Sequence, residues 1–166
     1  LGDIIPAPTA FWQNDVGDGG ALMLSFGALI CVHSLLPLRH WWFPDDVAWT
    51  EEGHRYAWRM MLRAKQGSGH FIVKNMASGE EERVNPRRDL SAKQARKLWT
   101  HPDMILQYAH HLRDRAHAEG KDVAIFVKVK VKLNDGQYHP YIDPAVDLAK
   151  VEWSLWETSP WILPEK

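Results

Sequence analysis

The stretch "GGALMLSFGALICVHSLLPLRHWW", Gly19 to Trp42, decides the fold because its composition suits a membrane-crossing helix. No Asp, Glu, Lys or Arg occurs from Gly20 to Leu38, and nineteen helical residues at about 1.5 Å each cover about 28 Å. The hydrocarbon layer of a bilayer is roughly 30 Å thick. The sequence therefore predicts a single transmembrane helix preceded by an extramembrane N-terminal segment, residues 1–18.

Both flanks of this stretch carry residues that favour a membrane interface. Arg39 can extend its charge towards the headgroups, Trp41 and Trp42 follow it, and Trp12 is a counterpart upstream. A buried core helix or a signal-peptide hydrophobic region is the alternative. A secretory signal needs a basic n-region, and the first eighteen residues contain no Lys or Arg. We therefore interpret residues 19–43 as a transmembrane helix with its interfacial flank.

Residues 44–166 have the length of one extramembrane domain with its own hydrophobic core. The whole chain is 25% charged with a formal net charge of −1, which is typical of globular proteins and argues against a nucleic-acid partner. The single cysteine, Cys31, lies in the apolar stretch, so no disulfide framework is expected.

Two hairpins are predicted in this domain, which makes its class α+β. In "VAIFVKVKVKL", residues 123–133, apolar residues alternate with lysines, and the "NDG" that follows indicates a tight turn. The returning segment "QYHPYI" contains Pro140, which favours an edge strand. The segments "HFIVKNM" and "EERVN" on either side of "ASGE" predict the second hairpin.

Two or three helices are expected beside these strands. Ser91 is the predicted cap of a short helix, and Pro102 the first residue of a longer one that Gly120 ends. The segment "TEEGHRYAWRMMLRAK" predicts an amphipathic helix that Thr50 caps and residues 67–69 end.

On that amphipathic helix, three arginines recur at four-residue spacing: Arg55, Arg59 and Arg63. An ordinary solvated face explains such a row. The row also suits lipid headgroups, the acids of a partner or an anionic substrate. We keep both interpretations open.

No catalytic residue and no metal site are predicted. His110 and Asp114 have i, i+4 spacing, but neither an HExxH motif nor a cysteine pair accompanies them, so a solvated helix face explains them better. His33 differs because an ionisable side chain within a membrane span is costly. It is predicted to contact a neighbouring helix, or alternatively to ligate a tetrapyrrole metal.

Four ordered motifs resemble the C-terminal part of vitamin K-dependent gamma-glutamyl carboxylases and their bacterial relatives with the horizontally transferred transmembrane (HTTM) domain. The resemblance runs from about Pro37 to Pro164. Its motifs are "PLRHWWFPDDVAWTEEGHRYAWRMMLRAK", "LSAKQARKLWTHPDMILQYAHHL", "KVKLNDGQYHPYIDPAVDLA" and "WILP". The resemblance implies a β-rich extramembrane domain that follows the last helix of a membrane bundle. We predict that this α+β domain is β-sandwich-like.

The resemblance also implies a role for the segment after the span. In this family that segment is associated with the glutamate substrate, and here it is matched by Gly53, Tyr56, Trp58, Met60 and Met61. The catalytic lysine and the quinone pocket of the family belong to preceding membrane helices that this sequence does not contain. Reduced vitamin K or another quinone is therefore expected only in a full family enzyme, and no cofactor is expected in this chain.

We accordingly predict a single-pass, non-catalytic binding or assembly subunit of a larger membrane complex, derived from a carboxylase-like protein. The alternative is a C-terminal fragment of a carboxylase/epoxidase-like enzyme that binds the glutamate substrate. The expected partners are lipid and other transmembrane helices or subunits. The positive-inside rule places the domain in the cytoplasm through Arg39 and Arg55, whereas the resemblance places it in the lumen or periplasm, which we favour.

Overall fold

The structure is a computed structural model that describes residues 19–57 and 63–165. It divides into two compact units, with the boundary after Leu38. The predicted membrane boundary after Phe43 stays a prediction. Predictions for Trp12 and for the stretch from Trp58 to Met61 fall outside the described residues.

The first unit contains helix α1, Gly19–Leu35. A 3-10 helix, Leu36–Trp42, follows α1 and extends past the boundary at Leu38. No residue of α1 is buried, although consecutive apolar residues occupy every side of the helix. The polar side chains Ser25 and His33 each hydrogen-bond a carbonyl four residues earlier, at 2.8 and 2.9 Å. In the described part of the chain, Gly19–Trp42 is the one helix long and apolar enough to cross a membrane.

The second unit is built on an antiparallel sheet with the strand order β2–β1–β3–β4. Lys128, Lys130 and Lys132 on β3 alternate with buried valines, as predicted. Both hairpins are confirmed, and Pro140 lies on an edge strand because its ring nitrogen cannot donate to a further strand. The strands are β1, Lys65–Asn75; β2, Glu81–Val84; β3, Val123–Leu133; and β4, His139–Pro140.

Two helices cover one face of this sheet: α3, Ala92–Leu98, and α4, Pro102–Ala118. Ser91 forms the predicted capping box with Gln94, and Gly120 follows α4 with a φ of 72°. Phe71 on β1 lies between the rings of Trp99 and Tyr108, with centroids 5.4 and 5.1 Å away. The core therefore lies between the sheet and these two helices.

This arrangement confirms the α+β class and defines its layers. In the second unit, the described strands form a single sheet, and the layer facing it is helical. A sandwich-like domain would have a second sheet in that position. Apolar side chains of α3 and α4, such as Leu98, Ile105 and Leu112, already fill the covered face, so the core is complete without one.

The amphipathic helix predicted from Thr50 is wrong over residues 51–57. A four-residue helix, α2, spans Val47–Thr50, and Asp46 caps it by accepting the Ala48 N–H at 2.8 Å. Glu51, Gly53 and Tyr56 have φ values of 65°, 68° and 66°, which a right-handed helix cannot contain. The segment after Thr50 is therefore a series of turns.

The first strand also begins earlier than predicted. β1 starts at Lys65, so Gly67 and Gly69 lie within a strand and do not end a helix. A Cβ at Gly67 would lie 2.8 Å from the carbonyl oxygen of Trp99, so glycine here permits close packing of β1 against the end of α3.

The C-terminal segment is bound to the beginning of the second unit. The Trp49 indole N–H donates to the Leu163 carbonyl at 2.7 Å, and the Ser159 N–H donates to the Glu52 carboxylate at 2.6 Å. Ile142 and Ile162 form an antiparallel bridge. Residues more than a hundred positions apart therefore share one buried region.

Candidate binding site around Lys65

Lys65 lies on the core-facing side of β1, where its side chain is only 4% exposed. Its ammonium group donates to the Trp49 carbonyl, to a Glu51 carboxylate oxygen at 3.1 Å and to the Tyr141 hydroxyl at 2.9 Å. These contacts use all three N–H donors of the lysine. The ammonium also lies 4.6 Å from the centroid of the Tyr141 ring, a cation–π distance.

One carboxylate serves two cations in this region. The second carboxylate oxygen of Glu51 accepts a hydrogen bond from Arg63, so Glu51 is shared between Arg63 and Lys65. We call the group the Lys65 cluster; its members are Trp49, Glu51, Arg63, Lys65 and Tyr141. The charge of Asp46 also acts on Lys65 from outside the cluster.

Burial shifts the titration of two groups in the Lys65 cluster. It lowers the pKa of Lys65 to about 8, although the Glu51 carboxylate favours the charged form. Burial, with the Glu51 charge in addition, raises the pKa of the Tyr141 hydroxyl. At neutral pH the lysine is therefore charged. The neutral Tyr141 hydroxyl donates a hydrogen bond to the Trp49 carbonyl at 2.9 Å.

Arg63 is the accessible member of the cluster. Its side chain is 17% exposed, compared with 6% for Glu51 and 4% for Lys65. Among the described residues it donates only to Glu51, through Nη2. A guanidinium has five N–H donors, so several remain for an incoming acidic group.

The other predicted binding residues do not share a helical face with Arg63. Arg55 forms an ion pair with Asp103 of α4, and its side chain is 61% exposed. Tyr56 is exposed and has a left-handed backbone conformation. Arg59, Trp58, Met60 and Met61 fall within the range that the structure does not describe. The arginine row at helical spacing is thus not formed by Arg55 and Arg63, because residues 51–57 are turns.

Arg39 differs from the interface anchor that the sequence predicts. Its side chain is buried, its guanidinium lies 5.4 Å from the Trp156 ring centroid, and it donates to the Arg55 carbonyl at 3.5 Å. The guanidinium charge can be buried inside the second unit because an aromatic ring and a carbonyl oxygen contact it there. Trp41 and Trp42 are 75% and 82% exposed, and their role as anchors stays a prediction.

His33 and His110, the two histidines considered as ligands, each hydrogen-bond a backbone carbonyl. His33 hydrogen-bonds the Leu29 carbonyl of its own helix. Its predicted contact with a neighbouring helix, and the alternative of a metal, stay predictions. His110 hydrogen-bonds the Val151 carbonyl at 2.9 Å and so joins α4 to the C-terminal segment. Over residues 19–57 and 63–165, no group of three His, Cys, Asp or Glu side chains is placed to hold a metal.

The uncovered face of the sheet carries a second basic surface. Lys128, Lys130, Arg83 and His70 border a shallow cavity of about 590 Å³. Burial lowers the pKa of His70, and the charges of Arg83 and Lys128 lower it further. Arg83, Lys128 and Lys130 are exposed, whereas Lys65 is buried. A substitution at Lys128 is therefore a suitable control for substitutions in the Lys65 cluster.

The sequence analysis missed Lys65, Glu51 and Tyr141. The missed signal is the period-two pattern of β1, which continues back from Phe71 through Gly69 and Gly67 to Lys65 on the covered face. The amphipathic helix predicted from sequence extends to this lysine, so the predicted strand begins only at His70.

Taken together, these features define a helix-anchored α+β domain with a partly buried cationic cluster. The family model for the lumenal domain of vitamin K-dependent gamma-carboxylase matches residues 20–166, and the chain belongs to this family. The match confirms the resemblance and includes almost the whole of α1. No solved structure matches the chain.

Proposed function

We propose that this chain is a membrane-anchored binding domain that holds an acidic side chain, such as a glutamyl carboxylate, at Arg63 of the Lys65 cluster. The observation that carries the proposal is the shared carboxylate: Glu51 serves both Arg63 and Lys65, so Arg63 has no carboxylate to itself among the described residues. An incoming carboxylate would meet guanidinium donors that no described residue engages.

The position of Arg63 in the sequence supports this assignment. Arg63 lies two residues after Met61, the last residue of the segment that, by resemblance, is associated with the glutamate substrate, and Tyr56 belongs to that segment. The family match concerns a gamma-carboxylase domain, for which an acidic substrate is chemically reasonable. We therefore favour a glutamyl group over other anions.

The proposed role is binding without bond breaking. Removing a carbon-bound proton from glutamate needs a strong base that is formed when reduced vitamin K is oxygenated in a water-free pocket. Lys65 is a poor candidate for that base because its ammonium is buried and all its donors are engaged. Its part is to hold Glu51 in position for Arg63.

The proposal assigns no quinone to the described cavities. The cavity bordered by Arg39, Gly53 and Trp153 has a volume of about 10 Å³, which is too small for one. The cavity of about 590 Å³ on the uncovered sheet face has both apolar and charged walls, and its volume is within the range of about 300–1,000 Å³ that drug-sized ligands occupy. A quinone enters the proposal only as the cofactor of a larger enzyme.

Two settings are compatible with this binding role. In the first, the domain presents a glutamyl substrate within a carboxylase/epoxidase-like membrane enzyme. In the second, it is an accessory subunit that binds and stabilises another membrane protein, which the apolar surface of α1, with no buried residue, favours. In both settings we place the domain on the lumenal or periplasmic side, with lipid and other membrane helices as partners.

The test is peptide binding by the detergent-solubilised full chain. A peptide with a central glutamate should bind at least tenfold more tightly than the same peptide with glutamine, and Arg63→Gln should remove most of that preference. Lys128→Gln, which removes an exposed cation on the other face of the sheet, should leave it unchanged. Equal binding of both peptides, or equal effects of the two substitutions, would overturn the proposed role.

A further inference from the structure

Four large apolar side chains stand exposed at one edge of the second unit. Trp41, Trp42 and Trp156 are 75%, 82% and 66% exposed, and Leu155 is 44% exposed. We call these four residues the aromatic edge. Single exposed apolar residues are common, but a group of three indoles and a leucine is unusual on a surface that faces only water.

The two halves of the aromatic edge are connected through Arg39. Trp41 and Trp42 follow Arg39 directly in the sequence, and the guanidinium of Arg39 lies 5.4 Å from the Trp156 ring centroid. Arg39 also shares the lining of a small cleft with Trp153, Ser154 and Leu155. The loop 153–157 is therefore held beside the residues that begin the second unit.

The loop has a defined shape that presents its apolar tip. The Ser154 hydroxyl accepts hydrogen bonds from the N–H groups of Trp156 and Glu157, at 3.2 and 3.1 Å. Such a serine turn fixes the backbone and projects the two residues at its tip, Leu155 and Trp156. Trp153, at the base, packs against buried Trp161 with centroids 6.1 Å apart.

Covalent connection places Arg39 close to any membrane that the apolar helix crosses. Arg39 follows Leu38, the last residue of the uncharged stretch, and one residue spans at most about 3.6 Å. The Trp156 ring centroid lies 5.4 Å from the Arg39 guanidinium, so this ring is within one arginine side chain of the residue that ends the uncharged stretch. This placement depends on the membrane anchoring in the proposed function and not on any assumed orientation of the domain.

We propose that the loop 153–157 is a second membrane contact, in which Leu155 and Trp156 enter the headgroup layer beside Trp41 and Trp42. Indole rings favour this layer because one part of the ring is apolar and its N–H can still meet water. Glu152 precedes the loop and Glu157 ends it; both need hydration, so only the tip enters the layer. The buried charge of Arg39 then holds the loop in place.

The experiment uses spin labels on the full chain in phospholipid vesicles, with Cys31→Ser as the background. The label is placed in turn at Leu155→Cys, at Leu29→Cys within the apolar helix, and at Tyr138→Cys, an exposed residue near the edge strand. Relaxation by oxygen, which concentrates in lipid, is compared with relaxation by a water-soluble nickel complex. The expected oxygen-to-nickel ratio is several-fold higher at positions 155 and 29 than at position 138.

The outcomes separate this proposal from the membrane anchoring on which it rests. A lipid signal at position 29 with a water signal at position 155 would overturn the second contact and leave the anchoring intact. Water signals at positions 29 and 155 would overturn both the second membrane contact and the membrane anchoring. Trp156→Ser in the Leu155→Cys protein should lower the ratio at position 155, whereas Tyr138→Ser in the same protein should not.

Discussion

Lys65 is a residue whose burial has a measurable energetic consequence. Its pKa is lowered to about 8, from 10.5 for a free lysine, because burial disfavours the charged form more than Glu51 stabilises it. Below pH 8 both the folded and the unfolded chain keep the proton, so folding carries the full cost of burying the charge. Between pH 8 and 10.5 the folded chain releases the proton and the unfolded chain keeps it.

The stability of the chain should therefore rise with pH above 8 through Lys65. One pKa unit corresponds to about 1.4 kcal/mol, which gives about 2 kcal/mol between pH 8 and 9.5 for this group. Denaturant unfolding in detergent should show the wild-type chain gaining this amount relative to Lys65→Met. The raised pKa of Tyr141 opposes the trend only above pH 10, outside the window. Parallel pH curves for the two proteins would contradict the prediction.

At the scale of elements, Gly69 decides how closely β1 and β3 pair. A Cβ at this position would lie 2.5 Å from the Lys128 carbonyl oxygen and 2.9 Å from the Val129 Cα. Both are backbone atoms of β3, which cannot move aside as a flexible side chain can. Gly69→Ala should cost about 1–3 kcal/mol of unfolding free energy, despite the better strand propensity of alanine.

The matched control for this prediction is Ser68→Ala. Ser68 is the exposed neighbour of Gly69 on the same strand, so its substitution should change the unfolding free energy by less than about 0.5 kcal/mol. Denaturant titration of the three proteins makes the comparison. An alanine at position 69 that is as well tolerated as one at position 68 would show that β1 and β3 separate easily.

The elements also show which parts of the fold could be predicted from sequence. β3 was predictable because its period-two pattern and the following turn agree with its place in the sheet. The turns of residues 51–57 were not predictable, because the apolar spacing of this segment fits a helix. Glu51 and Tyr56 adopt positive φ values that no local sequence pattern indicates. Close contacts with distant residues, such as Gly53 against Phe43, determine that conformation.

The candidate site was predictable only in part, for a related reason. Arg63 belongs to the predicted arginine row, but Lys65, Glu51 and Tyr141 meet only after β1, α2 and the residues that follow β4 have assembled. Lys65 and Tyr141 are 76 positions apart in the chain. A buried ion pair depends on tertiary contacts, which spacing along one element cannot reveal.

At the scale of the whole molecule, the apolar helix determines where the domain resides. Leu29 is 52% exposed on α1, so a charge there cannot be buried within the chain. Leu29→Arg should raise the free energy of membrane insertion by about 2.5–3.5 kcal/mol, and Leu29→Ile should leave it nearly unchanged. Glycosylation-site mapping in microsomes measures the inserted fraction. Full insertion of the arginine variant would contradict a lipid-facing position.

The binding of the C-terminal segment to Trp49 and Glu52 has a consequence for biosynthesis. A ribosome adds about 5–20 residues per second, so residue 163 is made some seconds after residue 49. During that interval the indole of Trp49 lacks its Leu163 carbonyl and the carboxylate of Glu52 lacks its Ser159 N–H. The nascent domain can form its hairpins early, but these two contacts close only after residues 159 and 163 have been made.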